Sequence, residues 1–429
     1  MHKIKQITLI LLLLISSNFI IAQSTVNSPY SRFGVGDIIT NSNSKNLSLG
    51  GTCLGERSST SVNYTNPASY SAFDTLSFVF ETGVCGNFSR LTTSSATNEN
   101  ANVYLNHMLF GFPITKNLGA SFGLLPFSSV GYNIKDSESI DSVGSIDYLY
   151  KGKGGLNQIY FGSAYSLTKN FSLGFNASYV FGNIIQERTI SFPSLSNFFN
   201  QYTINKTKVG DAKFDIGIQY QAKFKNDLKL TIGGVYYLKS EMNASNTVLS
   251  KRYTPYSNTT SIITRDTIVN ETLSNESVTI PSGLALGFVI EKEKKWAFRA
   301  DISQTNWSEY KTFGISDSLS NSMRASFGFE FIPEANAMKN YLKKTYYRIG
   351  AHYGNSFLQL NNTQLKEYGM SFGLGLPVRS RARKPSYVNV GVEIGARGTT
   401  DFSLIKEEFV RINLSFSFYE LWFMKRKYE

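Results

Sequence analysis

Two stretches of this chain carry the Gly-x-Ser-x-Gly spacing that can present a nucleophilic serine. They are Gly119-Ala120-Ser121-Phe122-Gly123 and Gly369-Met370-Ser371-Phe372-Gly373. That chemistry works when a sharp strand-to-helix turn lifts the serine out of the sheet. Here each serine lies inside alternating β sequence with no helix after it, so both read as Gly and Ser on a strand. His107 and His352 are the histidines that remain once His2 leaves with an N-terminal signal. A barrel lipase needs serine and histidine adjacent on the outer wall, with a polar group to orient the ring. Strand parity puts His352 on the inner face, so no enzyme is expected. No H-E-x-x-H, paired C-x-x-C, Walker loop or dinucleotide fingerprint occurs, and no cofactor or metal is expected. Cys53 and Cys85 could bond in an oxidising compartment or stay as two unpaired small residues. Sequons such as Asn63-Tyr64-Thr65 are chance matches in a chain so rich in Asn, Ser and Thr.

The elements that position these residues are aromatic-rich strands. In the run Phe409 to Phe418, Val410, Ile412, Leu414, Phe416 and Phe418 share one face. Arg411, Asn413, Ser415 and Ser417 share the other. A soluble sandwich strand has the same period of two. Repeated over residues 75–418 behind a secretion signal, the pattern implies an all-β transmembrane antiparallel barrel, with lipid outside and a polar lumen. About fourteen strands are expected, an even number as in bacterial barrels. They centre on Phe80, Phe110, Phe122, Phe161, Phe175, Ile216, Ile232, Leu286, Phe298, Phe327, Ile349, Phe372, Val390 and Leu414. Tight turns are expected at Lys116-Asn117, Thr168-Lys169-Asn170, Lys225-Asn226-Asp227 and Lys292–Lys295. Long polar loops are expected at Thr92–Ala101, Asp136–Asp147, Ser191–Asn205, Asn243–Glu276 and Lys311–Ser322. Aromatics at 14% and 34 glycines against 10 prolines suit interfacial girdles and close packing in tilted strands.

The ends differ from the middle. Lys3, Lys5 and the apolar Ile7–Ile15 form a secretory signal over residues 1–22, cut before Gln23. Residues 23–74 are rich in Ser, Asn and Gly and lack long alternation, which implies a compact segment without a core of its own. Residues 419–429 form an expected periplasmic tail with Trp422, Phe423, Lys425, Arg426 and Lys427, suited to membrane anchoring or to a partner's grip. The formal net charge of +12 becomes +10 without Lys3 and Lys5. These charges are scattered, with no basic stripe carrying stacking aromatics, which excludes a nucleic-acid partner. Parity instead sends a mixed-charge set into the lumen: Arg299, Asp301, Arg324, Glu330, Arg348, His352, Glu393, Arg397 and Arg411.

Asn66-Pro67-Ala68 follows Leu47-Ser48-Leu49-Gly50-Gly51-Thr52 and precedes the first strand. That order resembles the start of the FadL/TodX family of outer-membrane hydrophobic-compound transporters. Ile280–Phe288, Asp301–Tyr310 and Tyr347-Arg348-Ile349-Gly350 resemble later segments of the family. The resemblance is diffuse over residues 47–418, and the opening Asn27–Asp37 and the C-terminal tail depart from it. It implies a monomeric fourteen-stranded barrel in a Gram-negative outer membrane, plugged by an N-terminal hatch bearing Asn66, Pro67 and Ala68. Its implied function is passive, porin-like uptake of fatty-acid-like hydrophobic molecules, with the lipid bilayer and that ligand as partners. The shuttle barrel of type IX secretion also resembles this family and serves as a docking partner. The alternative is therefore a non-conducting structural or docking barrel in an envelope secretion or assembly complex, meeting a protein at the periplasmic rim.

Overall fold

The computed structural model describes residues 28–40, 42–141, 144–193, 198–255, 262–337, 339–378 and 384–422. The expected signal segment and the tail residues Phe423, Lys425, Arg426 and Lys427 lie outside the described residues. No helix among the described residues is long and apolar enough to cross a membrane, which says nothing of a β-barrel.

Fourteen strands close into an antiparallel ring. They are β1 (Ser77–Thr92), β2 (Thr97–Pro113), β3 (Leu118–Ile140), β4 (Gly144–Ser166), β5 (Phe171–Ser191), β6 (Asn200–Lys223) and β7 (Leu228–Tyr237). Then follow β8 (Gly283–Lys292), β9 (Trp296–Thr305), β10 (Ser322–Phe331), β11 (Tyr346–Leu360), β12 (Thr363–Val378), β13 (Ser386–Arg397) and β14 (Lys406–Leu421). Each expected centre falls in its own strand. The ring closes where β14 pairs with β1, from Lys406 opposite Thr92 to Leu421 opposite Ser77. Closure leaves no terminal edge, which a sheet in lipid requires.

Side chains alternate as the period of two demands. Phe161, Phe175, Ile216, Leu286, Phe327 and Phe372 stand on the exposed outer face, forming an apolar belt. The tight turns fall where expected, and Asn226, Asp227 and Lys294 take positive φ there. These turns mark the short-turn end of the barrel.

The long-hairpin end departs from expectation. Most of Asn243–Glu276 is strand and not loop: Ser240–Pro255 and Ile262–Ile280 pair as a hairpin rising above β7 and β8. Its β-branched Thr247, Val248, Ile263, Thr264, Ile268 and Val269 explain why polar sequence still forms strand. Asp136–Ile140 and Gly144–Asp147 likewise continue the β3–β4 ladder, with Asp136 opposite Tyr148. Within Lys311–Ser322, Lys311-Thr312 pairs with Ile315-Ser316. The closing strand also runs past the expected end at Phe418 to Leu421. Alternation persists there, and Tyr419 turns inward to hydrogen-bond the Asp74 carboxylate at 2.9 Å.

Residues 28–40 and 42–74 lie inside the ring. A one-turn helix, Ser44–Leu47, is capped by Asn43, whose side chain accepts from the Asn46 N–H at 2.9 Å. Two apolar clusters bracket the lumen. One, near the long hairpins, gathers Tyr30, Val35, Phe127, Met242, Trp307 and Phe357. The other, near the short turns, gathers Val62, Tyr64, Tyr70, Phe73 and Tyr160.

Candidate functional site

The hatch is seated on glycines. Asn66 caps the short 3-10 turn Pro67–Ala72 by accepting from the Ala68 N–H at 3.1 Å. Its amide donates to Leu54 O at 2.8 Å and across to Ile218 O of β6 at 3.2 Å. A Cβ on Gly174 would lie 2.5 Å from Pro67 C, and one on Gly217 would lie 2.3 Å from Asn66 Oδ1. Across the lumen the Ser48–Gly51 turn sits on a second seat. A Cβ on Gly350 would lie 2.1 Å from Gly50 N, and one on Gly373 or Gly391 would lie 2.3 Å from Ser48 Oγ. Real Cβ contacts are never so short, so both walls need bare backbone where the hatch touches them. Sequence reading assigned the glycines to bends and close packing but not to these seats. Their signal was glycine recurring at inward positions of neighbouring strands.

Charge ties the hatch down between the seats. Glu56 meets Lys45 at 2.5 Å and Arg299 of β9 at 3.6 Å. Arg299 reaches Glu330 at 3.6 Å, and Glu330 holds Arg348 at 2.6 Å. Burial pushes the Glu56 carboxyl upward, but Lys45 and Arg299 outweigh it and hold the group below its ordinary value. Among the described residues Asp301 forms no salt bridge; its carboxylate accepts from the Cys53 and Leu54 N–H groups at 2.6 and 3.0 Å. Nearer the long hairpins, Arg397 grips Asp37 at 2.8 and 3.1 Å and Glu407 at 2.7 Å. Between these groups, Arg411 lies 3.4 Å from Glu393, Arg324 lies 3.9 Å from Glu367, and His352 stands 3.7 Å from both carboxylates. All nine parity-assigned lumen residues point inward, gathered in three neighbouring sets. Glu56, Lys45, Asp37, Glu367 and Glu407 complete those sets and were not singled out in the sequence.

The other motif residues are structural. Ser121 Oγ donates to Phe110 O at 2.7 Å, and Ser371 Oγ accepts from the Gly50 N–H at 2.9 Å. Cys53 and Cys85 are free and buried, and burial beside Asp301 keeps the Cys53 thiol protonated. Trp422 stacks on Phe78 with ring centroids 3.9 Å apart.

One seam of the wall is incomplete. β2 and β3 pair from Pro113 opposite Gly119 only as far as Met108 opposite Leu124. Beyond that point an extra residue, Asn106, bulges β2 where its register against β1 shifts. On the other side Pro126 lacks a donor, and the β3 register shifts at Phe127. Phe127 to Tyr132 are then buried without alternation, so β3 dips into the lumen. The hatch covers part of the edge this exposes: Asp37 and Ile38 pair with Ser129 and Ser128. Behind the seam lies a cavity of about 290 Å³ lined by Asp37, Tyr104, Asn106, Arg324, His352, Glu367, Arg397 and Arg411 among others. Proline within an otherwise regular strand was the sequence signal for this seam.

A family model described as BamG matches residues 3–429. The chain belongs to the BamG family. No curated protein matches its sequence. Solved structures similar to this BamG-family chain include the Pseudomonas putida toluene transporter TodX, at 15% identity and a TM-score of 0.60, covering 91% of this chain and 99% of that one. The Ralstonia pickettii toluene transporter TbuX is similar at 13% identity and 0.60, covering 87% and 97%. A Pseudomonas aeruginosa FadL homologue is similar at 11% identity and 0.58, covering 89% and 98%. At these identities the likeness shows a shared FadL-like fold.

Proposed function

We propose that this BamG-family chain is a non-conducting docking barrel of an outer membrane, a plugged wall around which envelope proteins assemble. One observation carries the reading: the interior is occupied by tethered hatch and charge. The apolar room near the long hairpins is filled by the chain's own Tyr30, Val35 and Phe127. The cavity beside it is mixed: Arg324, Arg397, Arg411, Glu367 and Glu407 share its wall with Ile38, Leu47, Trp307 and Phe357, so charge intrudes on any apolar path. Moving the hatch out of the way would break buried ion pairs, each costing roughly 3–5 kcal/mol when one partner is stranded. The opening Asn27–Asp37 and residues 419–429, which depart from the FadL/TodX pattern, support docking. The test is purification from the native membrane in mild detergent. A stoichiometric protein partner is expected, and a barrel that always emerges alone would refute docking.

A second reading, passive uptake of hydrophobic molecules as first expected from the sequence, is favoured by the open β2–β3 seam and by the FadL-like fold. A molecule entering from the membrane plane would pass between the two strands into a cavity that Asp37, Ile38 and Leu47 of the hatch help to line. Vesicle-reconstituted barrel that admits a labelled aromatic hydrocarbon faster than empty vesicles would support uptake over docking.

A further inference from the structure

The excess of positive charge, scattered along the sequence, gathers at one end of the fold. In the lumen opposite charges offset one another, through Glu56, Arg299, Glu330 and Arg348 and through Asp37, Arg397 and Glu407. At the long-hairpin end the signs are interspersed: Lys135 precedes Asp136, Arg265 precedes Asp266, and Lys153 meets Glu187 at 2.9 Å. The short-turn end is different. Each connection there carries a lysine: Lys116, Lys169, Lys225, Lys294, Lys339 and Lys384, in order from the β2–β3 turn to the β12–β13 connection. The acids nearby are fewer, and several are already engaged. Lys229 holds Glu293 at 2.6 Å, Lys343 holds Glu334 at 3.2 Å, and Lys384 holds Asp74 at 2.7 Å. The exposed Lys116, Lys169, Lys225, Lys294 and Lys339 form no salt bridge among the described residues. Outside that set the sequence holds a single acid, Glu429, against several arginines and lysines, so the sign of this end does not turn on it.

Successive turns stand about two strand spacings apart, roughly 10 Å. That is close to the Debye length of about 8 Å at physiological salt, so their fields overlap. Holding like charges together costs stability unless a counter-charge covers them. Two placements show where that cover must lie. Lys223 and Lys229 share the parity of the inward Gln219 and Thr231, so they stand at the mouth and not against lipid. Lys384 also reaches inward, donating to Ser59 Oγ of the hatch at 2.6 Å. Phospholipid headgroups surround a barrel and meet only its outer circle. A positive field that continues over the mouth fits a body spanning the opening.

We propose that the short-turn end is a docking face for an acidic protein domain of the periplasm, which lies across the mouth and meets the turn lysines with Asp and Glu side chains. The proposal rests on the docking reading and names the chemistry of its partner. Short turns face the periplasm in barrels of this class. Complementary charge of this kind steers encounter and fixes orientation, and it is screened by salt. Attachment should therefore weaken steeply as salt rises, while the barrel itself is unaffected.

The test is carbodiimide coupling of the full chain in its native membrane, which joins a lysine amine to a touching carboxylate as an amide and releases the reagent as its urea. The expected result is adducts from Lys116, Lys169, Lys225 or Lys294 to Asp and Glu residues of one partner protein. Combining Lys116→Glu, Lys169→Glu and Lys225→Glu should lower co-purification of that partner by about tenfold or more. Lys206→Glu with Lys208→Glu, at the long-hairpin end, should leave it unchanged, and both variants should keep the heat-modifiable mobility of a folded barrel. Adducts confined to this chain's own acids would overturn the proposal. So would a triple variant that loses bound anionic phospholipid in native mass measurement while the native chain gives no protein adduct, since the ring would then serve headgroups. If the partner co-purifies with the triple variant in full yield, docking stands but this face is not its site. If no partner co-purifies even with the native chain, the docking reading itself has failed and this proposal with it.

Discussion

Two seams of this barrel are built from similar strands and end in opposite states. β13 and β14 pair without interruption from Tyr387 opposite Ser417 to Arg397 opposite Glu407. β2 and β3 pair only between Met108 and Pro113 on the β2 side, then part. At the closed seam the hatch is held by side-chain charge, with Arg397 bridging Asp37 and Glu407. At the open seam it is held by backbone, through the pairing of Asp37 and Ile38 with β3. Asp37 belongs to both contacts, so the plug is pinned to the complete wall by charge and to the interrupted wall by its main chain. The difference arises from a proline and two bulges, not from any change in strand composition. A ladder can be opened by a few residues without loss of the barrel around it.

The strongest way to break this contrast is to remove the plug. Deleting Ser42–Tyr64 takes away the Glu56 tether and the Ser48–Gly51 turn while leaving every wall strand. Permeability of proteoliposomes to bulky solutes is expected to rise sharply, and unchanged permeability in a correctly inserted barrel would mean the segment is no plug.

A smaller effect is expected when only the closed seam is disarmed. Arg397→Leu strands the Asp37 and Glu407 carboxylates in a buried site, with an expected loss of about 3–5 kcal/mol. The temperature at which heat-modifiable mobility is lost should fall, whereas Lys406→Leu, whose ion pair with Glu408 is exposed, should cost at most about 1 kcal/mol and move that temperature far less.

The seats allow a finer test. Gly350→Val puts side-chain atoms where Gly50 N already stands, and overpacking of this kind costs about 1–3 kcal/mol. The Ser48–Gly51 turn should lift, and trypsin should cut sooner at Lys45 or Arg57 than in the native chain.

The smallest expected change follows from acid. Glu56 titrates below its ordinary value in the folded chain because Lys45 and Arg299 favour its charged form. Its contribution is therefore complete above the ordinary carboxylate range and fades as pH falls through the lowered folded value. Hydrogen exchange of the Cys53–Glu56 amides should accelerate in acid, and Glu56→Gln should remove that pH dependence.

The strand count, the belt and the inward charges were legible because alternation has a period of two, and a one-residue slip would have inverted every assignment. Arg299, Glu330 and Arg348 could be placed inside from parity alone, but parity carries no information about which carboxylate each one meets. Glu56 and Asp37 lie in the segment without alternation, so their pairing with Arg299 and Arg397 depended on how the hatch threads. The Ser240–Pro255 and Ile262–Ile280 hairpin was hidden by its polar composition, since a strand standing above the membrane needs no apolar face. Tyr419 was misassigned to a tail because the aromatic run after Phe418 suggested an interface, while its hydroxyl reaches Asp74 inside. The seam was foreshadowed by Pro126, which alone does not reveal that β3 dips.

We propose that the plugged interior conducts nothing and that the chain works by holding a partner. Native mass measurement of the particle released from its own membrane tests it most directly. A mass equal to the processed chain plus a whole protein partner is expected, with no small apolar ligand retained inside. A mass equal to the processed chain alone, carrying a bound hydrophobic molecule, would contradict it.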